Sequence, residues 1–257
     1  MNNIFEDELM AFNTSEFIIN NKLMKCIFEC EVSYINNSYI TESEQKSLIT
    51  HLKEFFDKII TAMNNFKNAI RNKLEKFKSE NSLELRLRNA RKKLMMQKEQ
   101  GEKYIENIDV FEYKKVYVKM VDDLWKEAKR FPKVKYNTVD EIDRDLLKFD
   151  DKIAKYDEKL DEIEKRKVKI KIDDAIEFVS REIGGNTQIM KTIEECELKV
   201  REMDRNAQVL AQRRNILGAD IIPKHVSLIK RIVNSITKFI RNKVSKFISI
   251  VVFLCAV

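Results

Sequence analysis

The sequence predicts an all-α fold, an elongated helical bundle with a coiled-coil hairpin and basic amphipathic helices. Three observations predict it. Only four glycines and two prolines punctuate 257 residues, and 35% of the residues are charged, a composition suited to long helices rather than strands. Apolar residues recur at helical steps of three and four along most of the chain. The stretch from Pro223 to Val257 contains no acidic residue, and its cations are Lys224, Lys230, Arg231, Lys238, Arg241, Lys243 and Lys246. Those seven equal the net charge of +7, so the rest of the chain balances 42 bases against 42 acids.

Residues 1–44 form an acidic arm with eight acidic side chains against two lysines. Asn13-Thr14-Ser15-Glu16 offers N-cap chemistry for a helix reaching about Glu31, and Asn36-Asn37-Ser38 reads as a turn. Thr41-Glu42-Ser43-Glu44 is a second helix start.

Residues 45–131 open with a basic amphipathic helix. From Glu44 to about Lys78, Leu48, Leu52, Phe55, Phe56, Ile59, Ile60, Met63, Phe66, Ile70, Leu74 and Phe77 keep a helical period. Residues 45–78 carry eight bases and three acids. The helical pattern continues to Phe131 with Leu83, Leu87, Leu94, Ile105, Ile108, Val116, Met120 and Leu124 as core candidates and Gly101 as a break. Within it, Phe111 to Val121 partly alternates, which leaves a short extended piece open there. Trp125 and Phe131 anchor the end of the element, and Phe131 to Asn137 reads as a linker around Pro132.

Residues 138–218 hold two heptad seams. Val139, Ile142, Leu146, Phe149, Ile153, Tyr156, Leu160 and Ile163 alternate steps of three and four, the pattern of a coiled coil. Ile189, Ile193, Cys196, Val200, Met203, Ala207, Leu210 and Leu217 form the second seam. Between them, the alternation of Lys167 to Ile172 suggests a loop or short strand, and Asp174-Ala175-Ile176-Glu177 opens a helix ending at Gly184-Gly185. The two seams either fold back as an antiparallel hairpin or pair with another protomer. The expected oligomerisation seam is Leu146, Phe149, Ile153, Leu160, Ile193, Val200 and Leu210.

Residues 223–257 form a basic amphipathic helix with an apolar tail. Pro223 is expected as the first helical residue, and Ile229, Ile232, Val233, Ile236, Ile240, Val244, Phe247 and Val251 make one apolar stripe. The tail from Phe247 to Val257 covers about 17 Å as a helix, short of the ~30 Å hydrocarbon core of a bilayer, so it is expected to enter one leaflet or to be buried. The expected membrane or partner contacts are Lys230, Arg231, Lys238, Arg241, Lys243, Lys246, Phe247, Ile250 and Phe253. The best internal match aligns Ile70 to Ser79 with Ile240 to Ser249, identical at seven of ten positions. It fits either convergent composition or a repeated element whose copies pack together.

Catalytic and metal-binding patterns are absent from the sequence. The glycines form no phosphate-binding loop. His51 and His225, the two histidines, open basic helices, where a solvated or half-packed role is expected. Cys26 and Cys30 stand four apart with no histidine nearby, so all four cysteines, with Cys196 and Cys255, are expected as reduced thiols and not zinc ligands. The expectation is a protein that is not an enzyme, with no catalytic residue, no metal, no cofactor and no small-molecule substrate. Arg86, Arg88, Arg91, Lys92, Lys93 and Lys98 add a basic cluster suited to non-specific DNA contact without any base-reading module.

An acidic arm of about 45 residues, then the basic helix His51-Leu52-Lys53-Glu54-Phe55-Phe56-Asp57-Lys58-Ile59-Ile60, then long charged helices, resembles the layout of helical structural proteins of phages of low-GC Gram-positive bacteria. The resemblance covers about the first 80 residues and transfers no functional residue. It implies a virion-associated or assembly role. The expected function is therefore structural or assembly work, with self-association, other structural proteins, an anionic membrane or non-specific DNA as candidate partners. A membrane-active protein of pore-forming type and a non-specific nucleic-acid-binding protein are the alternatives. With no positively charged leader before the first apolar run, the chain is expected to be cytoplasmic on synthesis and afterwards virion-associated or peripheral to a membrane.

Overall fold

The computed structural model describes residues 42–79, 104–183, 188–212 and 221–256. The acidic arm as far as Thr41, with Cys26 and Cys30, the expected core residues Leu83, Leu87 and Leu94, the cluster from Arg86 to Lys98, the seam residue Leu217, and Gly101, Gly184, Gly185, Gly218 and Val257 lie outside the described residues, as do the side chains of Phe253 and Cys255. Of the described residues, 88% are helical. In chain order it runs α1 (Glu42–Ser79), β1 (Tyr104–Ile108), α2 (Val110–Ala128), a 3-10 turn (Phe131–Lys133), α3 (Val139–Lys165), β2 (Lys167–Lys171), α4 (Ile172–Ile183), α5 (Gln188–Ala211) and α6 (Ile221–Ala256).

Local chemistry sets the element boundaries. Asp109 caps α2 by accepting from the Glu112 amide at 2.9 Å. Thr138 caps α3, and Glu141 reaches back to the Asn137 amide at 2.8 Å, so side chains satisfy amides that lack an intrahelical partner. α6 begins at Ile221, two residues before the expected start, and Pro223 still sits in the first turn, where no amide donor is needed. The alternation at Lys167 to Ile172 becomes β2, paired antiparallel with β1. The extended piece left open between Phe111 and Val121 is helical instead, and the strand lies just upstream in a stretch expected to be helix. Ile105 pairs there with Ile170, so the partner strand 65 residues on, not the local period, decides the conformation of β1.

α6 is the axis of the bundle. It packs against α1, α2, α3, α4 and α5. Its buried apolar residues, among them Val226, Ile229, Ile232, Val233, Ile236, Phe239, Ile240, Val244, Phe247, Ile250 and Val251, cover far more of its circumference than a single stripe. The rings of Tyr113 and Phe247 stack at 6.0 Å, and those of Tyr117 and Phe239 at 6.4 Å, so α2 runs antiparallel to α6. Arg71 bonds Glu194 and Asp57 lies near Asp204, so α1 runs antiparallel to α5.

This arrangement replaces the expected coiled-coil hairpin. α3 and α5 are not packing partners of any extent; each lays its seam on α6, and α5 pairs most extensively with α1. Leu146, Phe149, Leu160, Ile193, Val200 and Leu210 are buried within the chain, and Ile153 is half-buried against the same core. A helix apolar on most sides needs partners all round, and it separates the two seams that would otherwise meet. One contiguous core joins helices from residues 45–131, 138–218 and 223–257, so these stretches do not have separate cores. The expected linker is packed as well: Phe131 sits edge-on to Phe149 at 5.7 Å, and Tyr136 is buried.

Candidate interaction surface

The α6 cations were the main expected contact residues, and the helix periodicity distributes them over three environments. Lys230 and Arg241 are buried on the α1 side. The Lys230 ammonium lies 5.0 Å from the Phe55 ring centroid and the Arg241 guanidinium 5.8 Å from that of Phe66. Both pairs step by eleven residues, three turns, so α1 and α6 run parallel and repeat one cation–π contact. In this register Ile70 stands level with Ser245 and not with Ile240, so the two matching segments are offset by about 7.5 Å, at about 1.5 Å per residue.

A second group meets α3. Lys224 pairs with Asp143 at 3.2 Å, Lys243 with Asp157 at 3.0 Å and Asp161 at 2.9 Å, and Lys246 with Glu164 at 3.3 Å. Arg231 acts electrostatically on Asp150. Asp143, Asp150, Asp157 and Glu164 recur every seven residues, so one edge of α3 faces α6 with carboxylates over its whole length. α3 carries eleven acids and six bases. The positive excess of the C-terminal helix is thereby answered inside the fold. Burial alone would lower the Lys243 pKa, but hydrogen bonds to Asp161 and Asp157 outweigh it and hold the ammonium above its ordinary value. At Asp150, burial dominates and raises the carboxyl pKa against the opposing pull of Arg231.

The remaining expected contacts divide between solvent and core. Lys238 and Asn242 are exposed with Arg231 and Lys246 along the open lane of α6 between α1 and α3. Phe247 is buried between Tyr113 and Phe178, with centroids at 6.0 and 6.1 Å, and Ile250 is buried too. The apolar tail as far as Val251 thus faces protein, correcting the expectation that Phe247 and Ile250 offer themselves to a membrane. Among the described residues, no helix is long and apolar enough to cross a membrane.

His225 departs from the expected solvated or half-packed role. It is buried, with Nε2 2.7 Å from the Phe131 carbonyl oxygen and its ring edge-on to Tyr136 at 4.7 Å. Tyr136 in turn donates to Asp145 at 2.9 Å, so one polar chain fastens the 131–137 connection to α3 and α6. Its signal in the sequence was weak: a histidine opening a helix, and an aromatic residue in a polar connection. His51 is half-exposed and 3.7 Å from Glu54, within the solvated or half-packed expectation.

No group of three or more metal-ligating side chains occurs among the described residues. Cys196 is fully buried, and burial pushes its thiol up to about 12, a setting for an inert packed thiol. Comparison with protein-family models, with curated proteins and with solved structures found no match to the chain.

Proposed function

We propose that the protein is a non-enzymatic structural or assembly protein, of the virion-associated kind whose layout its first 80 residues resemble, and that it meets its partners through its charged exterior. The observation that carries this reading is the internal use of both basic helices and both seams. They converge on α6, and the polar groups buried with them fasten helices to one another: His225 to the Phe131 carbonyl, Lys243 to Asp157 and Asp161, and Glu182 to Lys114. The exterior left for contact is dense in alternating charge. Leu147, Leu198 and Val209 are exposed apolar residues on α3 and α5, single side chains within charged faces and not a continuous patch.

Assembly through such a surface is electrostatic and therefore salt-sensitive, because the Debye length falls from about 10 Å at 0.1 M to about 3 Å at 1 M. Sedimentation velocity tests this. The reading predicts oligomers or particles at low salt that dissociate as salt is raised. A monomer at every salt concentration that also releases dye from anionic vesicles would replace it with the membrane-active alternative, in which α6 must leave the bundle.

A further inference from the structure

We propose that the outer face of the β1–β2 ribbon docks duplex DNA through the phosphate backbone. β2 alternates: Lys167, Lys169 and Lys171 are exposed, Val168 is half-buried and Ile170 is buried. The antiparallel register sets Ile108 opposite Lys167, Glu106 opposite Lys169 and Tyr104 opposite Lys171. One face of the ribbon therefore presents three lysines, an exposed tyrosine, a half-buried isoleucine and a single carboxylate.

These lysines differ from the cations of α6. Lys224, Lys243 and Lys246 each have a carboxylate partner on α3, whereas among the described residues none of the three ribbon lysines forms an ion pair, Glu106 included. Arg166 beside them is held by Glu112.

The shape favours duplex DNA over other polyanions. Two antiparallel strands lie about 4.8 Å apart, and a two-stranded ribbon is one of the two protein elements that a major groove about 12 Å wide admits. Lysines at alternate strand positions repeat about every 6.6 Å and the duplex carries one charge per ~1.7 Å of axis, so attraction between this face and the duplex needs no particular base sequence. Tyr104 adds a hydroxyl suited to a phosphate oxygen. The face has no long apolar side chain to enter a lipid leaflet, apart from Tyr104 and the half-buried Ile108, which argues against a membrane as its partner.

This inference rests on the reading of a protein that works through its charged exterior, and it names one partner. The test is fluorescence anisotropy of a labelled duplex against the full chain over a salt series. The triple variant K167Q/K169Q/K171Q should bind at least tenfold more weakly at low salt and flatten the log–log salt slope by about 2.7, at roughly 0.9 per phosphate contact. A control variant changing the exposed Lys133, Lys135 and Lys191 to Gln should leave the slope unchanged, and K167R/K169R/K171R should restore it. An unchanged slope in the ribbon variant, an equal loss in the control, or binding to phosphatidylserine vesicles but not to the duplex would overturn the proposal. Salt-dependent particles of DNA-free protein in the same preparation would leave the assembly reading standing, so the two fail separately.

Discussion

Lys243 on α6 and Asp161 on α3 meet at 2.9 Å, with Asp157 closing on the same ammonium at 3.0 Å. The contact joins the helix with the largest positive excess to the neighbour with an acidic edge. It also puts a buried cation between two half-exposed carboxylates, an arrangement with asymmetric consequences. Replacing Asp157 and Asp161 together by Asn weakens the charged partners of a buried ammonium and should cost about 1 to 3 kcal/mol. Replacing Lys243 by Met removes the charge while keeping much of the volume and should change stability by about 1 kcal/mol or less. Urea denaturation separates the two, and equal losses would mean that the lysine is solvated.

The two seams predict unequal responses within one helix. Leu146 is buried and Ile153 only half-buried, so Leu146→Asp should destabilise by several kcal/mol through an unpaired buried charge, and clearly more than Ile153→Asp. Because the seam faces α6 within the chain, neither change should alter the association state before the protein unfolds. A dimer that becomes a folded monomer in Leu146→Asp would show that the seam joins protomers.

His225 predicts a local fastening effect. Removing its ring in His225→Ala leaves the buried Phe131 carbonyl without that bond, at a cost of about 1 to 3 kcal/mol. Hydrogen exchange should speed up first around residues 131–138 and the start of α6. Unchanged protection there would place the histidine outside the fastening.

Stability should fall on the alkaline side. Burial raises the phenols of Tyr113 and Tyr117 above the ordinary 10.0, burial and the bond to Asp145 do the same for Tyr136, and burial takes the Cys196 thiol from 9.0 to about 12. For each of these acids the unfolded chain releases its proton first, so above about pH 9 the folded state binds more protons and stability declines as pH rises. Lys243, raised from 10.5 by its carboxylates against burial, acts in the same direction: its contribution is complete below 10.5 and is lost as pH rises through the folded value. Melting temperatures between about pH 8 and about pH 11 should therefore drop, with a later onset in Cys196→Ala. A flat profile would contradict the burial of these groups.

Helix positions were legible in the sequence wherever an apolar period ran for many turns. The core residues of α1 from Leu48 to Ile70 and the two seams were identified before their partners were known, and most are buried. Pairing was less legible, because period fixes which face of a helix is apolar but not which neighbour covers it. The carboxylates at Asp143, Asp150, Asp157 and Glu164 were visible as charged flanks of a seam. Their match to Lys224, Arg231, Lys243 and Lys246 appears only once α3 and α6 are seen to run parallel. β1 was hidden because its conformation depends on a distant strand, and the inert-looking lysines of β2 gained a common outward face only from that pairing.

α6 is the buried axis of the bundle and not a surface tail. Native-state hydrogen exchange resolved along the chain tests it most directly, since protection follows burial and cooperative opening. Amides from Val226 to Val251 should be among the slowest to exchange in the protein alone, at low and high salt. Fast exchange across that span, with protection appearing only when anionic vesicles are added, would contradict it.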